Sequence, residues 1–451
     1  MKNSKVEEAE AIIIRNSDLK NIDVIALGND MHDLCTKLFP ICRSITGNGF
    51  RASLNILKND LGLKDLRQIE VPTGTKCFDW IVPKEWNIKD AYIIDPNGNK
   101  ICDFNASNLH VVNYSIPVNK TVSLATLQDH LYSLPEQPNA IPYITSYYKE
   151  RWGFCLTQNQ RDQLIEGDYQ VVIDSTLEDG SLTYGELIIP GETEEEIFIS
   201  TYLCHPSMAN NELSGPVVTL HLAKWLMNLD ARKYTYRIIV IPETIGSITY
   251  LSRNYKTMKK NIIAGFNVSC VGDDRVYSYL PSKQGDTFAD ISLLHVLNHT
   301  HPDFMRYSFL DRQSDERQYC SSGIDLPVCS VMRSKYGEYP EYHTSLDDLT
   351  LITPAGLLGA YQVLQKAIKC LEMNETLCTT VLCEPQLGKR GLYPTISTKE
   401  SSAIVKDMMN FLAYCDGSLS NLEIARIIGA PLWELEDTIN KLKAEGLLRV
   451  C

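Results

Sequence analysis

The stretch RIIVIPETIGSITYL, residues 237–251, indicates both the fold and one side chain of a site. Residues 236–241 are almost continuously apolar, which is typical of a strand buried on both faces of a sheet. Glu243 follows this strand, and a helical pattern begins at about Gly246. A carboxylate at this place lies near the helix N-terminus, where the helix dipole favours its ionised form. It suits a general base that removes a proton from water, and the alternative is that it only stabilises the helix.

Strands and helices alternate in the same way between residues 150 and 372. The other predicted strands of this region are residues 169–173, 185–189, 196–201, 261–268 and 327–332. Fully apolar strands between amphipathic helices predict an α/β fold with a mostly parallel sheet flanked by helices. In such sheets ligands bind at the carboxyl ends of the strands, so polar motifs that follow strands are the candidates for a site.

A second strand end carries a histidine. In ISTYLCHPSMANNELSG, residues 199–215, His205 comes just after the strand. Asn211 and Glu212 follow six and seven positions later on the same polar loop. Imidazole nitrogens and side-chain oxygens are metal ligands, so these residues predict a metal site. The alternative is that His205 simply ends the strand.

The third motif, residues 313–352, contains a polar loop, a strand and a second polar loop before a helix. Its polar side chains are those of Asp315, Glu316, Arg317, Tyr342, His343, Asp347 and Asp348. His343 again lies between a strand and a helix, which makes it the second candidate metal ligand. Asp347 or Asp348 either caps the following helix or accepts a hydrogen bond from the imidazole of a metal-binding histidine and so orients it.

The three motifs, in this order, resemble the zinc-aminopeptidase fold that includes the bacterial leucyl aminopeptidases. The matching motifs of that fold fall on His205, on residues 210–215, on residues 243–246 and on residues 342–347. More narrowly, nearly the whole chain resembles an uncharacterised bacterial family of aminopeptidase-like proteins with an inserted β-module and a C-terminal winged helix. The stretches that carry this resemblance are CRSITG (42–47), FDWIVPKEWNIKDAYI (78–93), CHPSMAN (204–210), PETIG (242–246), SDERQY (314–319) and YHTSLDDL (342–349).

The resemblance implies a metal-dependent hydrolase of peptide or related amide bonds. Two-metal aminopeptidases of this fold need three carboxylates, and the matching positions here hold Asn211, Thr244 and Ser269. Because neutral groups balance two divalent cations poorly, we expect a single catalytic zinc. Its ligands would be His205, His343 and one oxygen from either Asn211 or Glu212. Glu243 would be the general base.

The expected substrate is a peptide or a small molecule with an amide bond. Asp315, Arg317 and Tyr342 would line the substrate pocket, and Arg43 could reach in to hold a carboxylate or a phosphate. The alternative for Arg43 is an ordinary inter-domain ion pair. The alternative for the whole protein is an inactive aminopeptidase fold that binds a ligand or another protein. Some relatives in the resembling family are encoded near surface-polysaccharide genes, which suggests that pathway.

The chain is long enough for several domains. We predict an aminopeptidase-like α/β domain at residues 22–65 and 136–374, a β-rich subdomain inserted at 66–135, and a winged helix-turn-helix domain at 390–451. The third helix of the last domain begins with acidic residues, namely Glu434, Glu436 and Asp437. Acidic groups at this place oppose DNA phosphates, so we expect the winged helix to contact a protein or to form a homo-oligomer rather than to bind DNA.

The composition is that of an ordinary globular protein, with 44% hydrophobic and 22% charged residues. A net charge of −13 argues against a nucleic-acid-binding surface spread over the whole protein. No apolar run approaches a membrane span and the acidic N-terminus lacks a signal peptide, so we expect a cytoplasmic protein. The 14 cysteines contain no CxxC pair, and we expect most to be buried, reduced thiols.

Overall fold

The computed structural model describes residues 24–392 and 399–451. Its α-helices are α1 (Val24–Leu38), α2 (Asn48–Asp60), α3 (Leu124–Gln128), α4 (Gln158–Asp162), α5 (Ser214–Met227), α6 (Ile245–Asn261), α7 (Phe288–Thr300), α8 (Glu316–Tyr319), α9 (Pro354–Glu372), α10 (Lys399–Ala413), α11 (Asn421–Ile428) and α12 (Glu436–Ala444). Its strands are β1 (Arg67–Pro72), β2 (Lys76–Cys77), β3 (Trp80–Ile81), β4 (Glu85–Ile94), β5 (Lys100–Ile101), β6 (Val118–Ser123), β7 (Leu131–Tyr132), β8 (Phe154–Cys155), β9 (Asp168–Glu178), β10 (Ser181–Ile189), β11 (Glu196–Tyr202), β12 (Thr235–Ile241), β13 (Ile262–Val268), β14 (Ser278–Leu280), β15 (Met305–Arg306), β16 (Val328–Met332), β17 (Thr376–Thr379), β18 (Asp416–Ser420) and β19 (Leu448–Val450).

An eight-stranded sheet forms the centre of the fold, in the order β1-β10-β12-β11-β13-β16-β14-β15. The four middle strands, β12, β11, β13 and β16, are parallel to one another. The outer strands β1, β10 and β14 pair in antiparallel fashion with their inner neighbours. The prediction of an α/β fold with a mostly parallel sheet is therefore confirmed.

Alternation along the middle strands creates two hydrophobic cores, one on each face of the sheet. Ile197 and Ile199 of β11 belong to the core that includes α1, α5, α7 and α9. Phe198, between them, belongs to the core that includes α6. Because successive side chains of a strand point to opposite faces, a strand covered on both sides must be apolar throughout. The same burial fixes the strand ends, from which the site is built.

A smaller sheet has the order β5-β4-β9-β6. We expected the β-rich subdomain at residues 66–135, but β9 begins at residue 168 and pairs with both β4 and β6. Conversely, β1 lies inside the expected range and pairs with β10 of the large sheet. The smaller sheet therefore does not coincide with residues 66–135, because pairing is set by contacts distant in sequence. How the chain divides into independent units stays a prediction.

The C-terminal unit combines α10, α11 and α12 with a sheet in the order β18-β17-β19. Gly429 follows α11 with a φ of 70°, a left-handed conformation that commonly ends a helix. We expected the unit to begin at residue 390, yet β17 starts at residue 376 and lies at the middle of its sheet. A four-residue strand after a long helix carries too little periodicity to be recognised in sequence.

A disulfide joins Cys378 of β17 to Cys451, with the two Cα atoms 5.8 Å apart. These two cysteines are the exception to the expectation of reduced thiols among the described residues. The cysteines outside this bond are mostly buried, as expected; Cys383 is exposed. Among residues 24–392 and 399–451, no helix combines the length and the apolar character needed to cross a membrane.

Candidate active site

The predicted site residues meet at the carboxyl end of the parallel strands. His205 follows β11 by three residues, and Glu243 follows β12 by two. His343 lies in the long loop between β16 and α9, and the backbone of residues 141–143 pairs with this loop. Because β11 and β12 are parallel neighbours, the side chains that follow them lie at one edge of the sheet.

His205 is buried, and its two ring nitrogens have different partners. Nδ1 hydrogen bonds to Oε2 of Glu212, a carboxylate that is itself fully buried. Nε2 lies 3.7 Å from Oε2 of Glu243. Burial opposes a charge on this ring, but the neighbouring Cys204 and Glu212 outweigh it and hold its pKa well above the ordinary value. Glu212 thus fixes the orientation of the imidazole and leaves Nε2 facing Glu243.

His343 adopts the left-handed backbone region, with a φ of 57°. Its ring centroid is 5.3 Å from that of His205, and the edge of Tyr143 meets both rings at 5.0 and 5.3 Å. Tyr342 stacks on the other side at 3.9 Å. The Nε2 atom is buried and has no hydrogen-bond partner among the described residues. Burial and the nearby His205 lower the pKa of His343 to about 3, so this ring is neutral.

Glu243 is partly exposed to solvent, with 22% of its side chain accessible. Oε1 accepts a hydrogen bond of 2.6 Å from the Ser314 hydroxyl. Its backbone N–H donates to the sulfur of Cys204 at 3.3 Å. Burial raises the pKa of Glu243 above its ordinary value. A carboxylate held at one oxygen, with the other directed at His205, has the placement that a general base requires.

The loop that carries Asn211 is rigidly held. The Asn211 amide nitrogen donates to the Tyr202 hydroxyl at 3.0 Å and to the sulfur of Cys270 at 3.6 Å. Its Oδ1 is therefore turned away from these groups, and it is buried without a partner in the described part of the chain. Glu212 Oε1 is also buried and unpartnered there.

The backbone N–H groups of residues 209–211 donate to the carboxylate of Asp347. Asp347 thus binds this loop rather than capping the next helix or holding an imidazole.

Asp315 lies under the start of α6 and has no exposed surface. Its Oδ1 accepts the Thr244 N–H at 2.8 Å and the Ser247 hydroxyl at 2.7 Å. Burial and the nearby Glu243 raise its pKa well above the ordinary value. Arg317 is exposed at the surface and donates to the Thr244 hydroxyl at 3.3 Å. Of the residues expected to line the substrate pocket, Arg317 and Tyr342 are accessible, whereas Asp315 positions the backbone beneath Glu243.

Arg43 is enclosed rather than open to a substrate. Its side chain is fully buried; Nη1 donates to the Leu38 carbonyl at 2.7 Å and Nε to the His205 carbonyl at 3.1 Å. Its expected alternative, an ion pair, is also not formed within the described residues. Arg43 therefore supports the backbone of the His205 loop. A direct contact with substrate would require this loop to move.

Cys204, His205 and Glu212 form a compact group in which one ligand atom of each lies within 4.8 Å of the others. This trio is explained without a metal. Glu212 already hydrogen bonds to Nδ1 of His205, so no space remains between them for an ion. Burial raises the pKa of Cys204 to about 12, which keeps the thiol protonated and a poor ligand.

Comparison with known proteins identifies the family of this chain. A family model described as "Domain of unknown function (DUF4910)" matches residues 32–374, and a winged helix-turn-helix model matches residues 375–450. The chain belongs to the DUF4910 family. The second match confirms the predicted C-terminal winged helix of this DUF4910 protein.

Its relatives carry aminopeptidase-like descriptions. A Clostridium acetobutylicum protein named "Putative polysaccharide biosynthesis protein with aminopeptidase-like domain" is 47% identical over 425 residues, covering 94% of this chain and 95% of that protein. A crystal structure of a "putative peptidase" from the same species is 45% identical, with a TM-score of 0.89 over 95% of this chain and 98% of that one. The predicted aminopeptidase-like family is therefore confirmed.

A more distant structure shows the fold alone. BSAP, a zinc aminopeptidase from Bacillus subtilis, is 11% identical, with a TM-score of 0.55 over 76% of this chain and 94% of that one. Zinc is named for BSAP itself, and the side chains of the present site can be compared with the ligands that zinc prefers. His205 Nε2 faces the site, while His343 Nε2 and Asn211 Oδ1 are buried without partners among the described residues. Two imidazoles and one oxygen are a donor set that one zinc ion can take, provided that zinc displaces the proton that the raised pKa keeps on His205.

Two contributors to the site were not anticipated from the sequence: Tyr143 contacts both histidines, and Ser314 donates to Glu243. Asp347 was a candidate, but its contact with the loop at residues 209–211 was not anticipated. For Tyr143 no local signal exists, since it lies in an irregular segment far from the motifs in sequence. Ser314 immediately precedes Asp315 in a motif that we had singled out, so its position was available.

Proposed function

We propose that this protein is a hydrolase of peptide or related amide bonds that uses one zinc ion. One observation carries the proposal: two imidazoles, with ring centroids 5.3 Å apart, lie beside a carboxylate that is partly exposed. The aminopeptidase-like descriptions of its relatives support the reaction class.

His205, His343 and Asn211 would hold the ion. When bound, zinc supplies Lewis acidity for an amide carbonyl and makes water a stronger acid. Between the two oxygen candidates, the geometry favours Asn211 as ligand, because Glu212 already hydrogen bonds to His205 Nδ1. Glu212 is better suited to fix the tautomer of that imidazole.

Glu243 would take a proton from the attacking water and return it to the leaving amine. The Ser314 hydroxyl occupies Oε1, which leaves Oε2, 3.7 Å from His205 Nε2, as the oxygen for this exchange. Asp315 fixes the backbone of Thr244, the next residue, and so holds the carboxylate in position. Arg317 and Tyr342, which are accessible at this edge of the site, are proposed to contact the substrate.

A second candidate function follows from the residues that replace expected carboxylates. Asn211, Thr244 and Ser269 are neutral where two-metal aminopeptidases of this fold carry acids. A protein that kept the fold and lost catalysis would bind a ligand in the same place. The name of the Clostridium relative suggests polysaccharide biosynthesis as the setting for either function.

Elemental analysis of the purified full chain, with and without added zinc, tests the proposal. We expect about one zinc per chain, lost in His205→Ala and in His343→Ala but retained in His32→Ala, where the altered imidazole lies on α1. Glu243→Gln should keep the metal and lower kcat about 10²- to 10⁴-fold on a panel of aminoacyl and acyl amides.

The other outcomes separate the two functions. Two zinc ions per chain would contradict the single-metal site. No zinc in the wild-type protein after supplementation would contradict the catalytic proposal. Zinc bound as expected, with no hydrolysis of any amide by the wild-type protein, would favour the binding function.

A further inference from the structure

A cavity of about 440 Å³ lies between the large α/β unit and the winged helix. One wall is α7 with the neighbouring strand β15, and the other is the end of α11. Its main side chains are those of Ile291, Leu294, His295, His299, Arg306 and Arg426. The volume lies in the range of small-molecule sites, and the apolar side chains along α7 can bury the body of a ligand.

Two arginines border this cavity without a carboxylate partner. Within the described residues, neither Arg306 nor Arg426 lies within ion-pair distance of an acidic group. Arg306 donates a hydrogen bond to the Asn298 side chain at 2.9 Å. Arg426 interacts electrostatically with Glu423, three residues earlier on α11, without an ion pair between them. In a protein with a net charge of −13, two unpaired guanidinium groups at one cavity form a local site for an anion. Asp286 also lines the cavity, and the charge of Glu434 acts on His299 from nearby.

His295 adds a buried donor to the same cavity. It is 3% exposed, and its Nε2 accepts the backbone N–H of Leu432 at 3.0 Å. An N–H group can only donate, so Nε2 is unprotonated and the ring proton lies on Nδ1. For the comparable helical residue His221, Nδ1 bonds to the Val217 carbonyl at 2.7 Å. No such partner exists for His295 Nδ1 among the described hydrogen bonds, so its N–H is available to a ligand.

We propose that this cavity binds a small organic phosphate, with the phosphate between Arg306 and Arg426 and the body against Ile291 and Leu294. Guanidinium forks suit phosphate oxygens. The Nδ1–H of the neutral His295 ring can donate a further hydrogen bond to a phosphate oxygen. Burial, His299 and Arg426 lower the pKa of His295 to about 4, which keeps this tautomer at neutral pH. A ligand held by both units would strengthen the contact between the winged helix and the α/β unit.

Calorimetric titration of the full chain at fixed salt tests the proposal with three probes: inorganic phosphate, glucose 1-phosphate and adenosine monophosphate. We expect one organic phosphate per chain, bound more tightly than inorganic phosphate because only the organic probes contact Ile291 and Leu294. Arg426→Gln and Arg306→Gln should each weaken binding about tenfold, since each removes a charge-assisted hydrogen bond. Arg449→Gln, an exposed arginine of the same winged-helix unit, is the matched control and should bind normally.

Hydrogen exchange gives a second readout that does not depend on affinity alone. The bound ligand should slow exchange of the amides at residues 429–434, which connect α11 to the contact with His295. The comparison of glucose 1-phosphate with adenosine monophosphate shows whether the cavity prefers a sugar or a nucleoside attached to the phosphate. The proposal is overturned if neither organic probe binds at millimolar concentration. Equal weakening by Arg449→Gln, or unchanged binding in both cavity variants, would overturn it as well.

Discussion

Asp347 offers a direct test of how the site is held together. It is fully buried, and Oδ1 accepts the backbone N–H groups of Ala209 at 3.1 Å and Asn210 at 2.6 Å. Oδ2 accepts the N–H of Asn211 and the hydroxyl of Tyr339, both at 2.9 Å. One carboxylate therefore fixes three consecutive amides of the loop that presents the proposed oxygen ligand.

The replacement Asp347→Asn keeps the shape and removes the charge. The amide oxygen can accept from at most two of the three N–H groups, while the new NH₂ group faces the remaining donor. A hydrogen bond to a charged group contributes about 1.5–3 kcal/mol, and an orphaned buried donor costs about 1–3 kcal/mol. Because these effects overlap, we expect the loop to be destabilised by about 2–4 kcal/mol. This corresponds to an increase of about 30- to 700-fold in the equilibrium constant for local opening.

Native-state hydrogen exchange at residues 209–211 measures this change, because local opening controls the exchange of buried amides. Asp348→Asn is the matched control, since Asp348 is half-buried and its carboxylate accepts, among the residues that the structure describes, from Thr350 alone. Exchange should rise at residues 209–211 in Asp347→Asn and stay unchanged in Asp348→Asn. If the amides of residues 209–211 exchange equally slowly in the wild type and in Asp347→Asn, with both proteins fully folded, this carboxylate does not hold the loop.

Two further predictions concern the contact between the α/β unit and the winged helix. Lys369 and Glu436 form a buried ion pair at 2.7 Å. Lys369→Met leaves the Glu436 carboxylate buried without its partner, so it should lower the free energy of unfolding by about 3–5 kcal/mol in denaturant titrations. The double variant Lys369→Met with Glu436→Leu removes both charges and should recover most of that stability. The pKa of His295 is about 4 in the folded chain, so the unfolded chain takes up the proton first as pH falls below about 6.5. Stability should therefore fall by about 1.4 kcal/mol per pH unit between pH 6.5 and 4 and level off below, and thermal melts of His295→Phe should lack this component.

Much of the site could be predicted from the sequence because it follows from strand order. An apolar strand followed by a polar residue places that residue at the sheet edge, and His205 and Glu243 both obey this rule. What could not be predicted is which atoms then meet. The pairing of Glu212 with His205 Nδ1 depends on the geometry of a buried loop. Likewise Asp347 binds the backbone of residues 209–211, because the 343–348 loop packs against it from 136 residues away.

The smaller sheet and the winged-helix sheet show the same limit. Alternation identified the strand segments before residue 135, yet the partner of β4 begins at residue 168. Turn signals favour neighbours in sequence, whereas the final pairing depends on which edges are left open by the rest of the fold. Arg43 was misjudged for a related reason. A guanidinium in a polar motif suggests an anion partner, but this one donates to the carbonyls of Leu38 and His205.

The distribution of strain and unpaired atoms bears on whether the site is a remnant. Thr244 has a φ of 64° and His343 a φ of 57°, conformations that cost about 1–3 kcal/mol each for residues with a Cβ atom. In the same place, His343 Nε2, Asn211 Oδ1 and Ser269 Oγ are buried without partners among the described residues, and each such group also destabilises the fold by about 1–3 kcal/mol. A site that had lost its ligand would gain stability from replacements that relax this backbone or pair these atoms. The strained backbone and the unpaired polar atoms coincide at His343 and in the loops next to His205 and Glu243, which supports a site that still binds what these atoms face.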